Sequence, residues 1–108
     1  MPFAIRFTAG ARKDLRGIHE YISANDSPKI ADEIIRGILR AIQKLHDLPD
    51  RGAYPPELLA IGSKTWRQLF FKPYRIVYRV SSKTVYVALI ADGRRDMTSL
   101  LARRLYSS

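Results

Sequence analysis

Between positions 3 and 8 the apolar Phe3, Ile5 and Phe7 alternate with Ala4, Arg6 and Thr8, the period of two that predicts a half-buried strand. From Ala9 the period lengthens. Ala11, Leu15, Ile18 and Ile22 fall on one helical face, and Arg12, Lys13, Asp14, Arg16 and Glu20 on the other, which predicts an amphipathic helix. After a turn at Ala24-Asn25-Asp26, Ser27 followed by Pro28 is a strong helix start, because Ser caps and Pro in the first turn forfeits no hydrogen bond. The second helix is expected to run to about Leu48, with a stripe of Ile30, Ile34, Ile38, Ile42 and Leu45 widened by Ala31 and Ile35, and Pro49 ending it. Together the two predict an antiparallel hairpin.

Residues 49–64 hold three of the six prolines and two of the six glycines and read as a long irregular loop. Strands are predicted over 65–71, 74–80 and 84–91. The short polar links Lys72-Pro73 and Ser81-Ser82-Lys83 join them as an antiparallel meander. Within the middle strand Tyr74, Ile76, Tyr78 and Val80 share one face, and Arg75, Val77 and Arg79 the other. Leu100, Leu101 and Leu105 predict a short helical tail. The fold class expected is α+β: an N-terminal strand, then a helix hairpin packed on a twisted antiparallel sheet in the order βααβββ, with the tail last. The hairpin stripe of Leu15, Ile18, Ile34, Ile38, Ile42 and Leu45 is expected to lie on Ile76, Tyr78, Val85, Val87 and Leu89.

Composition narrows the possibilities. At 108 residues and 46% hydrophobic the chain reads as a single domain, residues 1–108, that folds by burial. It contains no cysteine, so disulfides, thiolate metal sites and cysteine nucleophiles are excluded. No basic leader or membrane-length apolar run is evident, and the expected location is the cytoplasm, with no membrane partner. The net charge of +9 is unevenly placed. Residues 1–63 carry nine Lys and Arg against eight Asp and Glu, whereas residues 64–108 carry ten against two. Such a field attracts polyanions or acidic proteins.

Candidate chemistry is sparse. His19 and His46 lie in separate helices without metal-ligand spacing, so no metal is expected. No phosphate loop occurs, so no nucleotide cofactor is expected either. Trp66, Tyr74, Tyr78 and Tyr86 would stack bases if exposed and serve the core if not. What stands out is a cationic group, Arg67, Arg75, Arg79, Arg94 and Arg95, with Glu57 in the preceding loop. Arginines and one carboxylate on a sheet are capable of metal-free phosphodiester cleavage, but a protonated acid for the leaving oxygen has no evident candidate.

The segments FTAGARKDLRGIHEYI, YRIVYRV and VYVALIADGRRD, in this order, resemble the RelE/ParE toxins of bacterial type II toxin-antitoxin modules over nearly the whole chain. The resemblance implies a small α+β domain, growth arrest, a role in plasmid stabilisation, and a hetero-oligomer with a cognate antitoxin whose acidic, flexible C-terminal segment wraps the toxin. It also implies one of two targets. RelE and YoeB toxins cleave mRNA on the ribosome, and ParE toxins poison DNA gyrase. Glu57 and Arg75 match the YoeB group's loop glutamate and strand arginine. The late His-Tyr or catalytic tyrosine of the nucleases is replaced by Ala91-Asp92-Gly93-Arg94. Arg95 and Asp96, followed by a leucine-bearing tail with Arg103, Arg104 and Leu105, look like the ParE ending. The ParE reading implies a gyrase-binding, non-enzymatic toxin contacting its target through Arg67, Arg75, Arg79, Arg94, Arg95, Asp96, Arg103 and Arg104. A more ordinary role for Asp96 is to cap the tail.

Overall fold

The computed structural model describes residues 2–106. Strand β1 (Ala4–Phe7) leads into α1 (Ala9–Asn25), whose first turn is capped by Thr8 through a 3.1 Å bond from the Ala11 amide to Oγ1. Ser27 caps α2 (Pro28–Gln43) in the same way, accepting from the Ile30 amide at 3.1 Å. The expected helix to Leu48 instead tightens into a 3-10 turn at Lys44–His46. Ala31, Ile38, Ile42 and Leu45 are buried, but Ile30, expected in the same stripe, is 42% exposed.

Strands β2 (Trp66–Phe71), β3 (Tyr74–Ser81) and β4 (Thr84–Asp92) form the expected meander, within a sheet ordered β1-β4-β3-β2. The first strand refines that picture. It joins β4 in parallel, Ala4 beside Thr84 through Phe7 beside Val87. Parallel pairing needs a long crossover rather than a tight turn, and the hairpin and two strands between β1 and β4 provide one.

A second difference lies inside β4. Tyr78 pairs with Val87 and Val77 with Leu89, so Ala88 is an extra residue forming a β-bulge. One inserted residue flips every side chain beyond it. Val85, Val87 and Ile90 face the hairpin with Ile38, Ile42, Ile76 and Tyr78. Leu89, expected on that face, points to the other. There it joins Val77, Ala91 and the apolar sides of two elements, the short α3 (Pro56–Leu59) within the predicted loop and α4 (Met97–Leu105). The sheet is thus covered on both faces, the second over part of its width.

The bulge leaves backbone groups without ladder partners, and two charged side chains bind them. Arg104 donates from Nη2 to the Ala88 carbonyl at 3.0 Å, and Asp14 accepts from the Ile90 amide at 2.9 Å. The two side chains also pair with each other at 2.9 and 3.0 Å. Asp14→Ala therefore orphans the Ile90 amide and leaves a mostly buried Arg104 without its carboxylate. A loss of about 2–3 kcal/mol is expected, read as a lower urea midpoint at unchanged slope. Among the described residues no helix is long and apolar enough to cross a membrane.

Candidate functional site

Glu57 and Arg75, the two residues suited to nuclease chemistry, are brought together by the fold. Pro55 and Pro56 start α3 and set Glu57 in its first turn, facing the second side of the sheet where Arg75 lies 7% exposed. The Arg75 fork donates from Nη1 and Nη2 to the two Glu57 carboxylate oxygens at 2.8 and 2.7 Å, and from Nε to Gln68 Oε1 at 2.7 Å. A Cβ on Gly93 would sit 2.8 Å from Arg75 Cδ, so the glycine ending β4 makes room for this side chain. The Arg75 hydrogen bonds hold the Glu57 carboxyl below its usual value, with burial opposing them in part. Such a carboxylate is a weak proton acceptor at neutral pH, and each of its oxygens already accepts one hydrogen bond from Arg75.

Of the other candidate cations, Arg94, Arg95 and Arg104 line one groove, and Arg67, Arg79 and Arg103 lie apart from it. Arg67 donates to the Gly52 carbonyl at 2.9 Å and to the Tyr54 hydroxyl at 3.1 Å, with Cζ 4.5 Å from the Tyr54 ring centre, anchoring the loop after α2. Arg79, on the face of Arg75 but about 13 Å further along β3, lies over the Tyr86 ring at 4.7 Å. Arg104 belongs to the bulge clamp. Asp96 caps α4, accepting from the Ser99 amide at 3.2 Å and its hydroxyl at 2.7 Å, and these bonds lower its carboxyl pKa. Arg103 is exposed on the last turn of that helix.

Arg94 is 79% exposed yet held by Asp92, which accepts from Nε at 2.9 Å, from Nη2 at 2.6 Å and from the Arg94 amide at 2.9 Å. These bonds hold the Asp92 carboxyl at about 2. Arg95 is exposed and has no ion-pair partner among the described residues. Both line an open groove of about 770 Å³ between α1 and the end of β4, with Ile18 and Ile90 on its floor and Lys13, Tyr21 and Tyr74 along its sides. Desolvation raises the Tyr74 phenol pKa. Sequence reasoning did not assign Lys13 or Tyr21 to the site. The one available signal was a tyrosine on the polar face of α1, and Tyr21 is 70% exposed.

Residues 5–97 match the family described as the ParE toxin of the type II toxin-antitoxin system parDE. The chain belongs to this family. Among solved structures, this ParE-family chain resembles one described as the chromosomal ParDE toxin-antitoxin system from P. aeruginosa, with a TM-score of 0.70, 21% identity, and 83% of this chain and 95% of that one covered. The toxin-antitoxin complex RelBE2 from Mycobacterium tuberculosis follows with a TM-score of 0.57, 22% identity, and coverage of 85% and 99%. These likenesses show the fold. No curated protein matches the sequence.

Proposed function

We propose that this ParE-family toxin acts by binding and inhibiting DNA gyrase rather than by cutting RNA, and that a cognate antitoxin neutralises it through an acidic, flexible C-terminal segment. The observation that carries the reading is the Glu57–Arg75–Gln68 network, in which the base and charge stabiliser of a nuclease are bound to each other. A ribosomal nuclease requires that pair open toward a scissile phosphate, together with a proton donor. A binder requires only a surface. The groove lined by Ile18 and Ile90, where Lys13 and Arg95 stand in excess of the Arg104–Asp14 and Arg94–Asp92 pairs, offers one to an acidic partner. The antitoxin proposal draws support from the two structural neighbours, both described as toxin-antitoxin systems or complexes.

The test is supercoiling by purified gyrase, scored beside mRNA integrity on translating ribosomes. Wild type is expected to inhibit supercoiling and leave mRNA intact. Glu57→Gln, which keeps the side chain's shape, is expected to inhibit within about threefold of wild type, and Arg94→Ala/Arg95→Ala to lose about tenfold or more at unchanged fold. Unaffected gyrase beside mRNA cleavage that Glu57→Gln abolishes would establish the nuclease instead. Growth arrest alone does not separate the two, since both activities stop cells.

A further inference from the structure

The second face of the sheet is covered by α3 and α4 only in part, and the uncovered part has a regular composition. Arg6 pairs across to Tyr86, Tyr86 to Arg79, and Arg79 to Trp66. Directly paired residues point to the same side of a sheet, so one row crossing all four strands reads Arg6, Tyr86, Arg79, Trp66. Cations and aromatics alternate along it. Neighbouring strands lie about 4.8 Å apart, giving the row a length of about 14 Å. The Arg79 guanidinium lies over the Tyr86 ring at 4.7 Å, and Trp66 is partly buried against the cluster that includes Leu58, Val77 and Leu101.

Arg67, Arg75, Arg94 and Arg104 each have a carboxylate within ion-pair distance. Among the described residues Arg6 and Arg79 have none, nor has Lys83, which is exposed in the adjoining β3–β4 turn. Arg6 is exposed and Tyr86, Arg79 and Trp66 are half-buried. With one Tyr86 face under the Arg79 guanidinium, that guanidinium plane and the open part of Trp66 remain for a base beside the unneutralised cations, the two components of a single-strand platform. The cations track a phosphate backbone, and the rings and guanidinium planes receive unpaired bases. A duplex offers no base faces to such a row.

We infer that the Arg6–Tyr86–Arg79–Trp66 row binds single-stranded nucleic acid, through phosphate charge and base stacking and without choosing between ribose and deoxyribose. The two interactions the row offers, phosphate charge and base stacking, are common to RNA and DNA, so little discrimination between the sugars is expected. This site is separate from the groove at the other end of β4 and does not depend on which target the toxin has.

Trp66 is the only tryptophan, so its emission reports occupancy directly. Titration of the full chain with twelve-nucleotide oligo-dT and oligo-U, in the absence of gyrase, is expected to quench Trp66 with dissociation constants within about threefold of each other. Arg6→Gln/Arg79→Gln, checked for an unchanged melting temperature, is expected to weaken binding about tenfold or more. It should also reduce the salt slope by about 1.4, the value for two phosphate contacts on a single strand. The control Arg36→Gln/Arg40→Gln removes the same charge from the exposed side of α2 and is expected to stay within about threefold. Absent quenching, equal losses in the two double variants, equal affinity for duplex, or a tenfold preference for one sugar would each overturn the assignment. Displacement of the oligonucleotide by an oligoglutamate peptide at equal charge would give the row to an acidic protein segment instead. With no gyrase present, the result stands apart from the supercoiling assay.

Discussion

Ile38→Asp is expected to abolish folding. Ile38 is fully buried at the centre of the face where α2 meets the sheet, among Ala11, Ile42, Leu45, Ile76, Tyr78, Val85, Val87 and Ile90. A carboxylate there meets no cation. Burying it unpaired, or holding it protonated instead, costs several kcal/mol, and the lost apolar contact adds about 2 more. A domain of this size has about 5–15 kcal/mol of stability in total. Circular dichroism on heating should show no cooperative transition. A soluble variant that melts cooperatively near the wild-type temperature would mean that α2 buries a different face.

The second large effect expected is a loss of about 3–5 kcal/mol in Glu57→Ala, whatever the activity, because Arg75 is left buried without its counter-ion. The double variant Glu57→Ala/Arg75→Met removes both charges and should recover much of that loss. Acid provides an independent check. The Arg75 hydrogen bonds set the folded Glu57 pKa below the ordinary 4.5. The stability this lowering contributes is therefore complete above about pH 4.5 and lost as pH falls through the folded value. Urea midpoints of wild type should drop with acid over that range, and the double variant should lack this part of the drop. Coincident pH profiles for the two proteins would show that the pair contributes nothing to the folded state.

The elements visible in the sequence were those with a local cause. Ser27 and Pro28 marked the start of α2 through capping and a fixed φ, and the change from period two to helical spacing at Ala9 marked α1. The strand limits came within about a residue of those observed, because Lys72-Pro73 and Ser81-Ser82-Lys83 interrupt the apolar runs. What the sequence hid depends on residues far apart in the chain. Nothing around Ala88 signals a bulge, since the apolar run continues through it, and so strict alternation carried Leu89 to the wrong face. The side chains that satisfy the bulge's backbone groups, Asp14 and Arg104, lie far from it in the chain. Arg75 read as a surface cation because its neutralising carboxylate sits in a proline-rich segment that looked unstructured. The family ending at Arg95 and Asp96 was legible as a string, and so was the capping role of Asp96; what was not legible is that Asp92 holds Arg94 while Arg95, among the described residues, has no ion-pair partner.

Asp14 and Arg104 lie ninety positions apart, and Ala4 pairs with Thr84 in parallel. The native state therefore depends on contacts of very long sequence separation, the kind that slows folding because a large loop must close before it is rewarded. During synthesis the N-terminal strand and hairpin emerge first, with neither β4 to pair with nor α4 to lock the bulge. A nascent chain stopped at Asp96 should remain protease-sensitive through α1, whereas a chain extended through α4 and released should be protected. For a toxin, this ordering delays the native fold until α4 has been made.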